Sequence, residues 1–143
     1  MSDFTNPKIA AIDDGLAELD PCLDTFGRSH SFALRHSHEG SFNVPRRWLH
    51  RESGGIRQEI GLIIALPMPD RLVRGFHPEI PCTLHVAAFD RLARRHYHAT
   101  VFEALPFRSV RSSLRDHLAE AVAKLDACSP DFIAQYGVDD EKG

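Results

Sequence analysis

The chain has 143 residues, 43% of them hydrophobic and 26% charged, with a formal net charge of −3. That length sets one domain with room for a real core, and the apolar content excludes wholesale disorder. The longest apolar run, Ile60 to Met68, falls far short of the roughly 20 residues a membrane helix needs, and Met1–Gly15 has neither the basic nor the apolar region of a secretion signal, so a cytoplasmic location is expected.

The first predicted helix starts at Asn6-Pro7, where Asn can cap and Pro fits the first helical position. Ile9, Ile12, Leu16 and Leu19 share one face of it, and Pro21 closes it. A connection over Asp20–Gly27 follows. The period then shortens to two: His30, Phe32, Leu34, His36 and His38 alternate with Ser31, Ala33, Arg35 and Ser37. Phe42, Val44, Trp48 and His50 repeat that parity after a turn near Glu39–Ser41. Beyond Gly54-Gly55, Ile56, Ile60, Leu62, Ile64 and Leu66 mark a third strand with Arg57 and Glu59 on its other face. Such alternation means half-buried strands, and short Gly-containing turns make them an antiparallel meander.

Pro67 to Pro81 carries four prolines and no period, with room for one helical turn over Asp70–Gly75. A connection this long is often functional. Cys82–Phe89 and Arg94–Leu105 read as two more strands around a turn at Asp90–Ala93. From Ser109 to Cys128 the helical period returns, with Val110, Leu114, Leu118, Ala121, Val122 and Leu125 as one stripe; Ser113 and Asp116 make a capping-box pattern within it. Ser129-Pro130 starts a final turn ending at Gly137. The expectation is a single α+β domain over residues 1–138 and a disordered acidic tail over 139–143. Its elements run α-β-β-β-(irregular)-β-β-α, a five-stranded, mostly antiparallel sheet with terminal helices packed on it. This order is similar to that of small dimeric secretion chaperones, though without a shared motif.

Charge is distributed unevenly. All fourteen arginines and all nine histidines lie between Arg28 and His117. Residues 1–25, 26–118 and 119–143 carry formal charges of −5, +6 and −4. The acidic ends are expected to pack on the basic sheet of the same chain or of a second subunit. Cys22, Cys82 and Cys128 are isolated and odd in number, which suits reduced, buried thiols.

Two H-x-H pairs carry the clearest chemistry. On a strand, His36 and His38 share a face, as do His96 and His98, each pair about 6–7 Å apart. Such pairs can converge on a metal ion, so His36, His38, His96 and His98 are the metal candidates, with Glu39 or Glu103 as oxygen donors. His36-Ser-His38 is similar to the first metal motif of the cupins, but the spacing to the acidic residue differs and no second motif follows. Tyr97, Ala99, Val101 and Leu105 form the core face of the fifth strand, turning His96 and His98 away. His85 and His77 are single imidazoles able to act as base or pH sensor. If the aromatic positions of the first two strands share a face, Leu34 lies opposite Trp48 and His36 opposite Arg46.

Arg46, Arg47 and Arg51 interleave with Trp48, and Arg91, Arg94 and Arg95 with Tyr97. Arginine beside aromatic faces suits anions and aromatic ligands. Nucleic acid is disfavoured by the absence of a basic helical stripe. No phosphate loop, dinucleotide fingerprint, G-x-S-x-G elbow or H-E-x-x-H is present, and no cofactor is expected. The expectation is a homodimeric, non-enzymatic binding module. It takes a small anionic or aromatic ligand, or a partner protein, on one sheet face through His36, His38, Arg46, Trp48 and His77. The alternatives are a His-dependent enzyme, metal-bound through the H-x-H pairs, and a dimeric chaperone or adaptor.

Overall fold

The computed structural model describes residues 7–39, 44–64 and 80–140. The chain forms helix α1 (Pro7–Ala17), helix α2 (Asp20–Ser29), strands β1 (Ala33–Glu39), β2 (Val44–Ser53), β3 (Ile56–Ile64), β4 (Pro81–Asp90) and β5 (Arg95–Pro106), helix α3 (Phe107–Asp126), helix α4 (Pro130–Tyr136) and a two-residue strand β6 (Val138–Asp139). The strands form one antiparallel sheet in chain order, each paired with its neighbour. It is an α+β fold as expected, with six strands rather than five. No helix among the described residues is long and apolar enough to cross a membrane. The predicted turns and helix across residues 40–43 and 65–79 fall outside the described residues.

Each difference from the expected elements has a local cause. Pro21, read as the end of the first helix, occupies the first turn of α2, where a proline's missing N–H breaks no helical bond. The connection expected over Asp20–Gly27 is therefore helical. Asp139 and Asp140, expected in a loose tail, are held by β5. Arg95 donates to Asp139 at 2.7 Å and to the Gly137 carbonyl at 2.6 Å, and His96 Nδ1 meets Asp140 at 2.8 Å. Those contacts dock β6 on the β5 edge.

The core lies between the sheet and the helices. Ile12, Leu16, Leu19 and Leu23 come from α1, α2 and the turn between them. Ile56, Ile60, Leu62 and Ile64 come from β3, and Leu84 and Val86 from β4. The α3 stripe of Val110, Leu114, Leu118, Ala121, Val122 and Leu125 is buried throughout. Ser113 leaves helical geometry at φ −128°, ψ 15°, and its hydroxyl donates back to the Ser109 carbonyl at 2.7 Å, bending α3 where the capping pattern lies. A β-bulge in β5 opposite Cys82–His85 shifts the pairing, so Phe102 also enters the core. Gly54 and Gly55, at φ +58° and +82°, close the β2–β3 hairpin in the left-handed region such tight turns need.

The acidic ends fold onto the basic middle of the same chain. Arg47 pairs with Asp13 and Asp20, Arg51 with Asp126, Arg111 with Glu18, and Arg95 with Asp139. Among the described residues the helices all pack on one face of the sheet.

Candidate binding face

Strand register decides which side chains meet. In β1–β2, Leu34 pairs with Leu49, Arg35 with Trp48 and His36 with Arg47. This is one residue off the alignment expected from aromatic parity, and a one-residue slip exchanges the faces of a strand. The buried face of β2 is Arg47, Leu49 and Arg51, because acids from the helices and the Gln58 amide satisfy the two guanidiniums. Trp48 is turned to the opposite face.

That slip splits the expected site. His36 lies on the helix side, its Nε2 3.1 Å from Asp20 Oδ2. His38 shares that side by alternation and is exposed. Arg46 and Trp48 lie on the open side, and His77 falls outside the described residues. His96 and His98 also face the open side, as expected, with rings stacked at 5.5 Å. The two H-x-H pairs therefore sit on opposite faces, on strands separated by about 19 Å of sheet, and cannot converge on one ion within this chain. Among the described residues no group of three His, Cys, Asp or Glu is placed to hold a metal.

The open face instead gathers residues from four strands in three rows. Trp48, Gly61, His85 and Thr100 lie directly across from one another. His50, Glu59, Ala87 and His98 form the next row, and Glu52, Arg57, Phe89 and His96 the third. Gly61 is fixed by the rings on either side of it. A Cβ there would stand 2.6 Å from both His85 Nε2 and Trp48 Cζ3. Only a glycine lets the two rings meet, edge to face at 5.4 Å, across the strand between them. Trp48 is further anchored by its indole N–H, which donates to Ser37 Oγ at 2.8 Å, and the Arg35 guanidinium lies 5.9 Å from its ring centre.

Between these rows lies an open trough of about 520 Å³, floored by Ala87 and walled by Trp48, Glu59, His85, Phe89 and His98. It has the size of a small-molecule site. Arg57 pairs with the Glu59 carboxylate at 3.0 Å, and that carboxylate is only 13% exposed. The walls therefore supply aromatic faces, imidazoles that both donate and accept, and one neutralised carboxylate. Sequence reasoning singled out Trp48, His85, His96 and His98. It passed over Gly61, Glu59, Ala87 and Phe89 as parts of a site. A glycine in the middle of an isoleucine-rich strand is the signal that would have found the trough.

Comparison with protein-family models, with curated proteins and with solved structures finds no match to this chain.

Proposed function

We propose that this chain is a small binding module whose working surface is the sheet face opposite the helices. The observation that carries the reading is the Trp48–Gly61–His85 row, where a core-like ring packing is built on the face that no described helix covers. Side chains that only needed solvation would not require a glycine beneath them. The trough beside that row offers aromatic walls and a few convergent polar groups, the usual composition of a ligand site. His85 and the stacked His96–His98 pair join Trp48 in this reading, and His36 and His38 leave it.

Trp48 is the only tryptophan in the chain, so its fluorescence reports on this face alone. A panel of neutral aromatics, aromatic anions and short peptides should contain compounds that change its emission saturably. Ala87→Leu, which fills the floor of the trough, should abolish that response. A panel with no response, or an affinity untouched by Ala87→Leu, contradicts the reading.

The proposal also takes the protein as a homodimer joined at the β6 edge. There Tyr136 is 58% and Val138 54% exposed, beside a strand only two residues long. The outer edge of β1 is a poorer candidate, because Arg35, His36 and His38 guard it with charge and polarity.

A further inference from the structure

We infer that the trough over Ala87 recognises a flat, neutral, fused heteroaromatic that presents an adjacent ring N–H and amino group to Glu59. This is the edge that guanine and the 2-aminopteridinones carry. The inference rests on the binding-face reading above and narrows its ligand.

Its shape follows from the register. His85 and Phe89 stand two residues to either side of Ala87 on β4, so their Cα atoms are about 13 Å apart. Glu59 and His98 lie directly across from Ala87 on β3 and β5, each about 5 Å away. A methyl floor is thus bordered by two ring-bearing residues along the strand, an imidazole on one side and a carboxylate on the other. The space is long for a single six-membered ring and suits a fused bicycle lying over the methyl.

The charge balance selects among flat ligands. Glu59 Oε2 already holds Arg57 NH2 at 3.0 Å, and no other hydrogen bond to this carboxylate forms among the described residues. Acceptor capacity therefore remains on a group that is largely buried. A ligand cation gains little there, because Arg57 has supplied the opposite charge. A ligand anion meets the carboxylate itself. Two neutral N–H donors side by side match a carboxylate's paired oxygens and satisfy it without adding charge to the trough. His98, exposed at the far side, can donate to or accept from the opposite edge of the ring.

The test is a calorimetric and Trp48-fluorescence titration of the full chain with guanosine, adenosine and benzoate. Guanosine should bind saturably. Adenosine, which lacks the paired donors, should bind about 10- to 100-fold more weakly. Glu59→Gln should remove most of that preference by lowering guanosine affinity, because the amide offers one acceptor and one donor where the carboxylate offers two acceptors. Inosine, lacking only the amino group, should fall between the two nucleosides in the unmutated chain, which keeps the test decisive if Glu59→Gln folds poorly. Equal affinity for guanosine and adenosine, or an unchanged guanosine affinity in a folded Glu59→Gln, overturns the inference. So does benzoate binding in preference to both nucleosides, although a saturable Trp48 response to benzoate would uphold the binding face. Silence from all the probes overturns this inference alone. The broader reading falls only with the full panel.

Discussion

Arg47 Nε donates to Asp20 at 2.9 Å from a side chain that is only 2% exposed, joining the second strand to the start of the second helix. The same guanidinium reaches Asp13 at 3.1 Å, and Asp20 in turn meets His36. A buried arginine on the helix side of a sheet is what reverses the apparent parity of β2. It also explains why the acidic N-terminal segment folds against this sheet. Burying one charge is costly unless its partners come with it, and here they come from α1 and the first residue of α2.

The two acids should not be equivalent. Asp20 is 22% exposed against 46% for Asp13, so its loss leaves Arg47 with less access to water. Asp20→Asn should destabilise the fold by about 3 kcal/mol and Asp13→Asn by about 1 kcal/mol. Urea unfolding of the two variants gives the comparison, and equal losses would contradict the arrangement.

Gly61→Ala tests the ring packing on the other face. The added methyl must displace His85, Trp48 or both, at about 1–3 kcal/mol. Trp48 emission should move to longer wavelength as the indole loses its packing, and response to ligand should weaken. An unchanged emission spectrum in a folded variant would mean that the rings do not meet across Gly61.

Histidines on opposite faces should behave oppositely. The double variant His36→Ala/His38→Ala should leave ligand response at Trp48 unchanged, because both side chains lie on the helix side. His85→Ala should weaken that response several-fold. The reverse pattern in the fluorescence titration would restore the register expected from aromatic parity.

The cysteines carry a pH prediction. Burial pushes the Cys82 thiol from its ordinary 9.0 up to about 12 and also raises Cys128. Above pH 9 the unfolded chain releases a proton that folded Cys82 keeps. Its contribution to stability is therefore complete below that pH and is lost progressively as pH rises toward about 12. Cys82→Ala should flatten this alkaline loss in urea midpoints compared between about pH 8 and 10.5. At neutral pH an alkylating reagent should modify partly exposed Cys22 first, with Cys82 and Cys128 protected until unfolding.

If the β6 edge joins two copies, Val138→Asp should shift the protein to monomer in sedimentation velocity while its circular dichroism stays that of the folded chain, and its thermal midpoint should lose its dependence on protein concentration. A chain that is monomeric before the substitution, or dimeric after it, would remove that edge from the account.

Much of the architecture was legible because its periods are strong. The α3 stripe, the alternation of β3 and the Ser129-Pro130 start of α4 all stand where spacing placed them. The second helix was not legible because Pro21 reads equally as a stop and as a first-turn residue. The register of β1 on β2 was hidden because Arg47 and Arg51 look like surface residues until their acids are brought from positions 13, 20 and 126. The same blindness affected the site. Trp48 and the β5 histidines stand out by composition, whereas Glu59, Gly61 and Ala87 acquire meaning only when β2 to β5 are laid side by side.

The most direct test of the central claim is amide chemical-shift mapping of the labelled chain against aromatic fragments that change Trp48 emission. The account predicts shifts concentrated at Glu59, Gly61, His85, Ala87 and His98, with His36, His38 and the helices quiet. Shifts concentrated at His36, His38 and the helix side, with Gly61 and Ala87 unmoved, would contradict it.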